Sequence, residues 1–70
     1  MTNEQAKQLA EEALQTVSVG SPTDVADTTV LFQDEDGTYS VVDNGEEVSG
    51  LTAEQAVEVI IGNLTANSHE

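Results

Sequence analysis

The stretch from Thr28 to Ser49, TTVLFQDEDGTYSVVDNGEEVS, constrains the fold more than any other part of the chain. Two turn signals divide it into three short runs. Residues 29–33 and 38–43 are rich in β-branched and aromatic side chains, which fit a pleated, half-buried surface. Asp34-Glu35-Asp36-Gly37 between them reads as a four-residue hairpin loop. That loop sets a register in which Phe32 opposes Tyr39 and Val30 opposes Val41. Alternate residues share a face, so these four predict the core side of the sheet. Asn44-Gly45 is the signature of a two-residue turn with positive φ at both central positions. It places Asp43 opposite Glu46 and Val41 opposite Val48, which adds Val48 to the core side. The other side then carries Thr29, Leu31, Gln33, Thr38, Ser40, Val42, Glu47 and Ser49, and is mostly polar.

Helical patterns flank this stretch. Ala6, Leu9, Ala10, Ala13, Leu14 and Val17 recur at the spacing of one helical face, over residues 2–17. Thr2 and Gln5 form a capping box, and Glu4 suits the positive end of the helix dipole. Gly20-Ser21-Pro22 ends the helix. Ser21, Pro22 and Asp24 then predict a short helical turn that carries Val25 and Ala26 back to the core. A second helix runs over residues 52–64, with Thr52 and Gln55 as its capping box and Leu51 positioned to staple onto Ala56. Its apolar stripe is Ala53, Ala56, Val57, Ile60 and Leu64, widened by Ile61. Gly62 weakens its last turn, and residues 66–70 read as a frayed tail. The expected fold is α+β, with element order α-β-β-β-α. A three-stranded antiparallel meander (strands about 29–33, 38–43 and 46–49) carries two helices packed on one face, in a single domain over residues 1–70.

Length and charge restrict what such a domain does. Seventy residues bury roughly 60% of the unfolded surface, too little for a large enclosed pocket. Without cysteine there are no disulfides and no thiolate metal sites. No apolar run approaches the ~20 residues of a membrane span, and the polar N-terminus is unlike a signal peptide. A cytoplasmic location is expected, the host cytoplasm if the chain is phage-encoded. The formal net charge is -13, and Lys7 is the only Lys or Arg. The electrostatic term that drives binding to nucleic acid or anionic lipid is therefore repulsive. Basic proteins, or cations from concentrated salt, are the expected partners.

Enzymatic constellations are missing, and no catalytic residue or cofactor is expected. There is no thiol nucleophile, and the one histidine, His69, lies in the tail, where a nucleophile–base pair lacks fixed geometry. Glycosidase-type carboxylate pairs need one acid buried and protonated, whereas every acid here falls in a turn or on a polar helix face. Asp34, Asp36 and Gly37 imitate the core of an EF-hand loop. That loop would begin at Phe32, which is no ligand, and end on Asp43 where Glu is required, so weak Ca²⁺ binding is only an alternative and no metal ligand is assigned. The single turn glycines form no phosphate cradle. Phe32 and Tyr39 lie on the predicted core side and read as packing.

The clustered acid is what remains. An excess of surface carboxylates with small apolar residues fits a haloadapted accessory domain without a groove-directed role. The absence of Arg and the free use of Gln and Asn fit that reading less well. The sharper reading is mimicry of nucleic-acid charge. Same-face residues of a strand lie ~6.8 Å apart, close to the phosphate spacing along a DNA strand. Carboxylates on strands and tight turns present such a row to a basic groove, with fast, salt-sensitive association. Asp43 facing Glu46 is a like-charge pair that local rules disfavour, as happens at functional sites.

In size, charge and layout, and in the acidic turns Asp34–Asp36 and Asp43–Glu47, the chain resembles the small acidic inhibitors of phages and mobile elements. These include anti-CRISPR proteins, anti-restriction proteins and uracil-DNA glycosylase inhibitors. The resemblance implies a non-enzymatic inhibitor that blocks the basic DNA- or RNA-binding site of a host defence or DNA-processing protein. A CRISPR effector subunit is the first expectation. The expected contacts are Asp34, Glu35, Asp36, Asp43, Glu46 and Glu47, with Asp24 and Asp27 at the rim.

Overall fold

A computed structural model describes residues 2–26 and 28–69, with side chains through residue 65. Helix α1 spans Asn3–Thr16. Its start is fixed as the sequence predicts. The Gln5 amide donates to Thr2 Oγ1 at 3.1 Å, and the Thr2 amide donates to Gln5 Oε1 at 3.1 Å. Helix α2 spans Ala53–His69 and repeats this box with Thr52 and Gln55. It runs past the predicted end at residue 64. Gly62 does not stop it, because buried Leu64 anchors the following turn and the Thr65 hydroxyl donates back to the Ile61 carbonyl at 2.7 Å.

Between the helices lies one antiparallel sheet of four strands in the order β1-β2-β3-β4. They are β1 (Thr23–Ala26), β2 (Thr29–Gln33), β3 (Tyr39–Asp43) and β4 (Glu46–Leu51). The fold is thus α+β with two helices, and the meander has one strand more than expected. Thr23–Ala26 is not a helical turn. A pair of backbone bonds between Ser18 and Ser21 (3.2 and 2.9 Å) closes a tight turn there instead, and Pro22 leads out of it into extended chain. In that conformation the segment pairs with the otherwise open edge of β2, Thr23 against Leu31 and Asp24 against Val30. A bulge at Val25 turns that side chain into the core.

The β3–β4 turn forms as predicted. Asn44 has φ 53° and Gly45 φ 85°, and Asp43 stands opposite Glu46 and Val41 opposite Val48. The β2–β3 connection differs by one residue. The Asp34 amide donates to the Thr38 carbonyl at 2.8 Å, and the Gly37 amide to the Asp34 carbonyl at 3.1 Å. The hairpin loop is therefore the three residues Glu35, Asp36 and Gly37. Gly37 has φ 89°, the left-handed position that such a loop places last. Phe32 consequently opposes Ser40, and Leu31 opposes Val41. A slip of one residue exchanges the faces of a whole strand. Leu31 and Thr29 face the helices, fully buried, while Val30 and Phe32 turn to the other side.

Both helices cover the first of these faces. The core consists of Ala6, Ala10, Ala13 and Val17 from α1 and its end, Ala56, Ile60 and Leu64 from α2, and Val25, Leu31 and Val41 from the sheet. Four of these ten residues are alanines, so the helices approach closely and the space left suits Leu and Val. Tyr39 and Leu51 pack at the margin. Val48, expected inside, is 45% exposed, because β4 is an edge strand lying beyond the cover of the helices.

Candidate interaction surface

The meander distributes the acidic residues. Consecutive hairpins of a meander turn at opposite ends of the sheet. The Glu35-Asp36-Gly37 loop therefore lies a strand length, ~17 Å, from the Asn44-Gly45 turn. The sequence-predicted contacts form three groups. Asp34, Glu35 and Asp36 occupy one end. Asp43 and Glu46 face each other at the other end, where the Asn44 amide also reaches the Thr28 carbonyl at 3.2 Å. Asp24 and Glu47 stand on the outer strands, on the sheet face that carries no helix. Asp27 lies outside the described residues.

Within these groups the carboxylates have different duties. Asp34 Oδ2 accepts from the Ser40 hydroxyl at 3.0 Å and from the Thr38 hydroxyl at 3.3 Å. Ser40 is 2% exposed, so Asp34 satisfies a buried donor. Asp36 Oδ1 accepts from the Thr38 hydroxyl at 2.7 Å and the Thr38 amide at 3.0 Å. These two bonds, the hydroxyl first, hold the Asp36 carboxyl below its ordinary pKa of 3.8. Asp43 Oδ1 accepts from the Thr29 hydroxyl at 3.0 Å and the Thr28 hydroxyl at 3.1 Å. The Asp43–Glu46 pair is thus not a broken rule without structural gain, since Asp43 ties β3 to the start of β2. Asp24, Glu35, Glu46 and Glu47 are exposed and accept no hydrogen bond among the described residues.

The face without helices holds two residues that sequence reasoning assigned to the core, Val30 and Phe32. One row across the sheet reads Asp24, Val30, Val42, Glu47, each aligned with the next. Phe32, 36% exposed, lies two residues along β2 on the same face. A predicted polar surface is therefore an apolar strip between two carboxylates. The available signal was the run Asp34–Thr38, whose threonine closes the loop on both aspartates.

Compared with protein-family models, curated proteins and solved structures, the chain matches none. Its chemistry rests on its own geometry. Among the described residues no group of three or more His, Cys, Asp or Glu side chains is placed to hold a metal ion. No helix among them is long and apolar enough to cross a membrane. The depressions along α1 are lined by Gln5, Gln8, Leu9 and Glu12, and by Thr16, Thr23 and Asp24 beside it.

Proposed function

We propose that the chain is a non-enzymatic acidic inhibitor that occupies the basic nucleic-acid-binding site of another protein, a CRISPR effector subunit being the first candidate. The supporting observation is that Glu35, Glu46, Glu47 and Asp24 stand exposed on turns and outer strands, free of internal hydrogen bonds. No Lys or Arg lies anywhere from residue 8 onward to offset them. Carboxylates held on paired strands and tight turns and unengaged by the fold offer a cationic groove charge at fixed backbone positions. Asp34, Asp36 and Asp43 add field to the same ends while their oxygens serve the fold.

The test is affinity capture from a host lysate at low salt, with the wild type and with Glu46→Lys/Glu47→Lys. The expected result is capture of a nucleic-acid-binding protein, released by added salt and by competing DNA or RNA, and lost in the charge-reversed variant while its fold survives. Capture that ignores both competitor and charge reversal overturns the proposal.

A second reading, a haloadapted accessory domain, has one observation in its favour. Glu4, Glu11, Glu12, Glu54 and Glu58 are also exposed, on the helices, so acid is spread around the molecule. Weak Ca²⁺ binding at the loop is less favoured, because Asp34 and Asp36 already serve the Thr38 and Ser40 hydroxyls.

A further inference from the structure

We infer that the helix-free face of the sheet is a docking surface for a basic amphipathic helix of the partner protein. The inference rests on the reading of the chain as an acidic binding protein, and it moves the centre of contact from the hairpin tips to the middle of the sheet.

Val30, Val42 and Phe32 form the centre of this face, and Asp24 and Glu47 flank it in the same row as the two valines. Phe32 is 36% exposed and Val30 and Val42 are half-buried, so three neighbouring apolar side chains meet solvent on one face of the sheet. Such clusters rimmed by charge mark interaction sites. The occupant follows from charge and shape. A nucleic acid or an anionic membrane is repelled by a molecule of net charge -13. A second copy is repelled as well, since it would bring Asp24 and Glu47 against their own counterparts. A strand does not add to the face, because strands join at edges and the backbone groups of β2 and β3 are already paired on both sides.

A helix fits. Three strand intervals separate β1 from β4, ~14 Å between the flanking carboxylates. A helix with its side chains is ~10–12 Å wide. Its apolar stripe would lie over Val30, Phe32 and Val42, and Lys or Arg on either side would reach Asp24 and Glu47. The face would then be covered as α1 and α2 cover the other.

The test uses the full chain and a synthetic helix of leucine and lysine about 18 residues long, with lysines on both sides of a leucine stripe. A scrambled peptide of identical composition is the control. Amide chemical shifts of the chain are followed in low and physiological salt. The expected result is that the amphipathic peptide shifts Asp24, Val30, Phe32, Val42 and Glu47 and binds more tightly than the scramble. Phe32→Thr weakens it by about tenfold or more, as loss of a central aromatic anchor does. Val42→Thr, which keeps the branched shape, weakens it too, and Glu58→Lys, on the exposed surface of α2, leaves it nearly unchanged. Unaltered spectra away from the mutated site verify the fold of each variant. Equal binding of both peptides, or shifts confined to the residue 35 and residue 46 turns, overturns the docking face and leaves the acidic-inhibitor reading standing. No binding of either peptide at low salt overturns both.

Discussion

Asp43 shows how little the position of a charge says about its role. It stands opposite Glu46, ~5 Å away across a strand pair, where like charges are destabilising. Yet one of its oxygens receives two hydroxyl bonds, and Thr29, one of the donors, is fully buried. Removing that acceptor strands a buried hydroxyl, at a cost of about 1–3 kcal/mol. Asp43→Ala is therefore expected to lower Tm by roughly 4–8 °C per kcal/mol in a domain of this size. Asp43→Asn keeps the acceptor, removes one negative charge and is expected to melt close to the wild type. Glu46→Ala, which strands no donor, is expected to fall within about 0.5 kcal/mol of the wild type. Thermal unfolding of the three variants side by side decides the matter. Equal melting of Asp43→Ala and Glu46→Ala would remove Asp43 from the framework and return it to the contact surface.

At the scale of the element, the β2–β3 hairpin carries the most consequence, because its loop length decides which side of β2 is core. With Asp34 paired to Thr38, Leu31 points at the helices and Phe32 away from them. Leu31→Ala is expected to cost about 2–5 kcal/mol, and Phe32→Thr about 1 kcal/mol or less, since threonine keeps the strand preference. Denaturant unfolding of both variants reads this directly, and the reverse order would reinstate the four-residue loop. The helices, their two capping boxes, the Asn44-Gly45 turn and the pairing of β3 with β4 were all legible from sequence, because each rests on contacts within a few residues. The face of β2 was not. Val30 and Phe32 alternate with Thr29, Leu31 and Gln33 in a run apolar on both sides, so hydrophobicity does not choose between them. The choice fell to the loop, closed at three residues by the Asp34–Thr38 backbone pair, by Gly37 in the left-handed region and by the Thr38 hydroxyl at Asp36. Strand β1 was illegible for a related reason. Thr23–Ala26 is short, opens after a proline and contains a bulge, and it becomes extended only because β2 offers it an edge. Of the candidate surface, the exposed acids Glu35, Glu46 and Glu47 could be read from their turn and strand positions, whereas the place of Asp24 depended on β1 and the apolar centre on the register.

For the whole molecule the governing quantity is net charge against a thin core. Among the described residues ten buried apolar side chains, four of them alanine, oppose the mutual repulsion of an excess of thirteen negative charges. The described carboxylates are spread over both helices, both ends of the sheet and its open face, and exposed charges farther apart than the ~10 Å Debye length of 0.1 M salt are largely screened. The repulsion is a diffuse load that dilute salt already relieves, and the core beneath it is complete, with no buried side-chain polar atom left unpaired among the described residues. The chain is accordingly expected to be folded in dilute buffer. Its Tm should climb over the first few tenths molar of NaCl and flatten as the Debye length falls to ~3 Å near 1 M. Binding to a basic partner should weaken over that same range, so salt moves stability and affinity in opposite directions. A haloadapted domain behaves differently, remaining unfolded at low salt and gaining structure toward molar concentrations. Circular dichroism melts across a salt series, paired with binding measured at the same concentrations, separate the two. A disordered spectrum in dilute buffer that recovers only near molar salt would transfer the acidity from recognition to solvent adaptation.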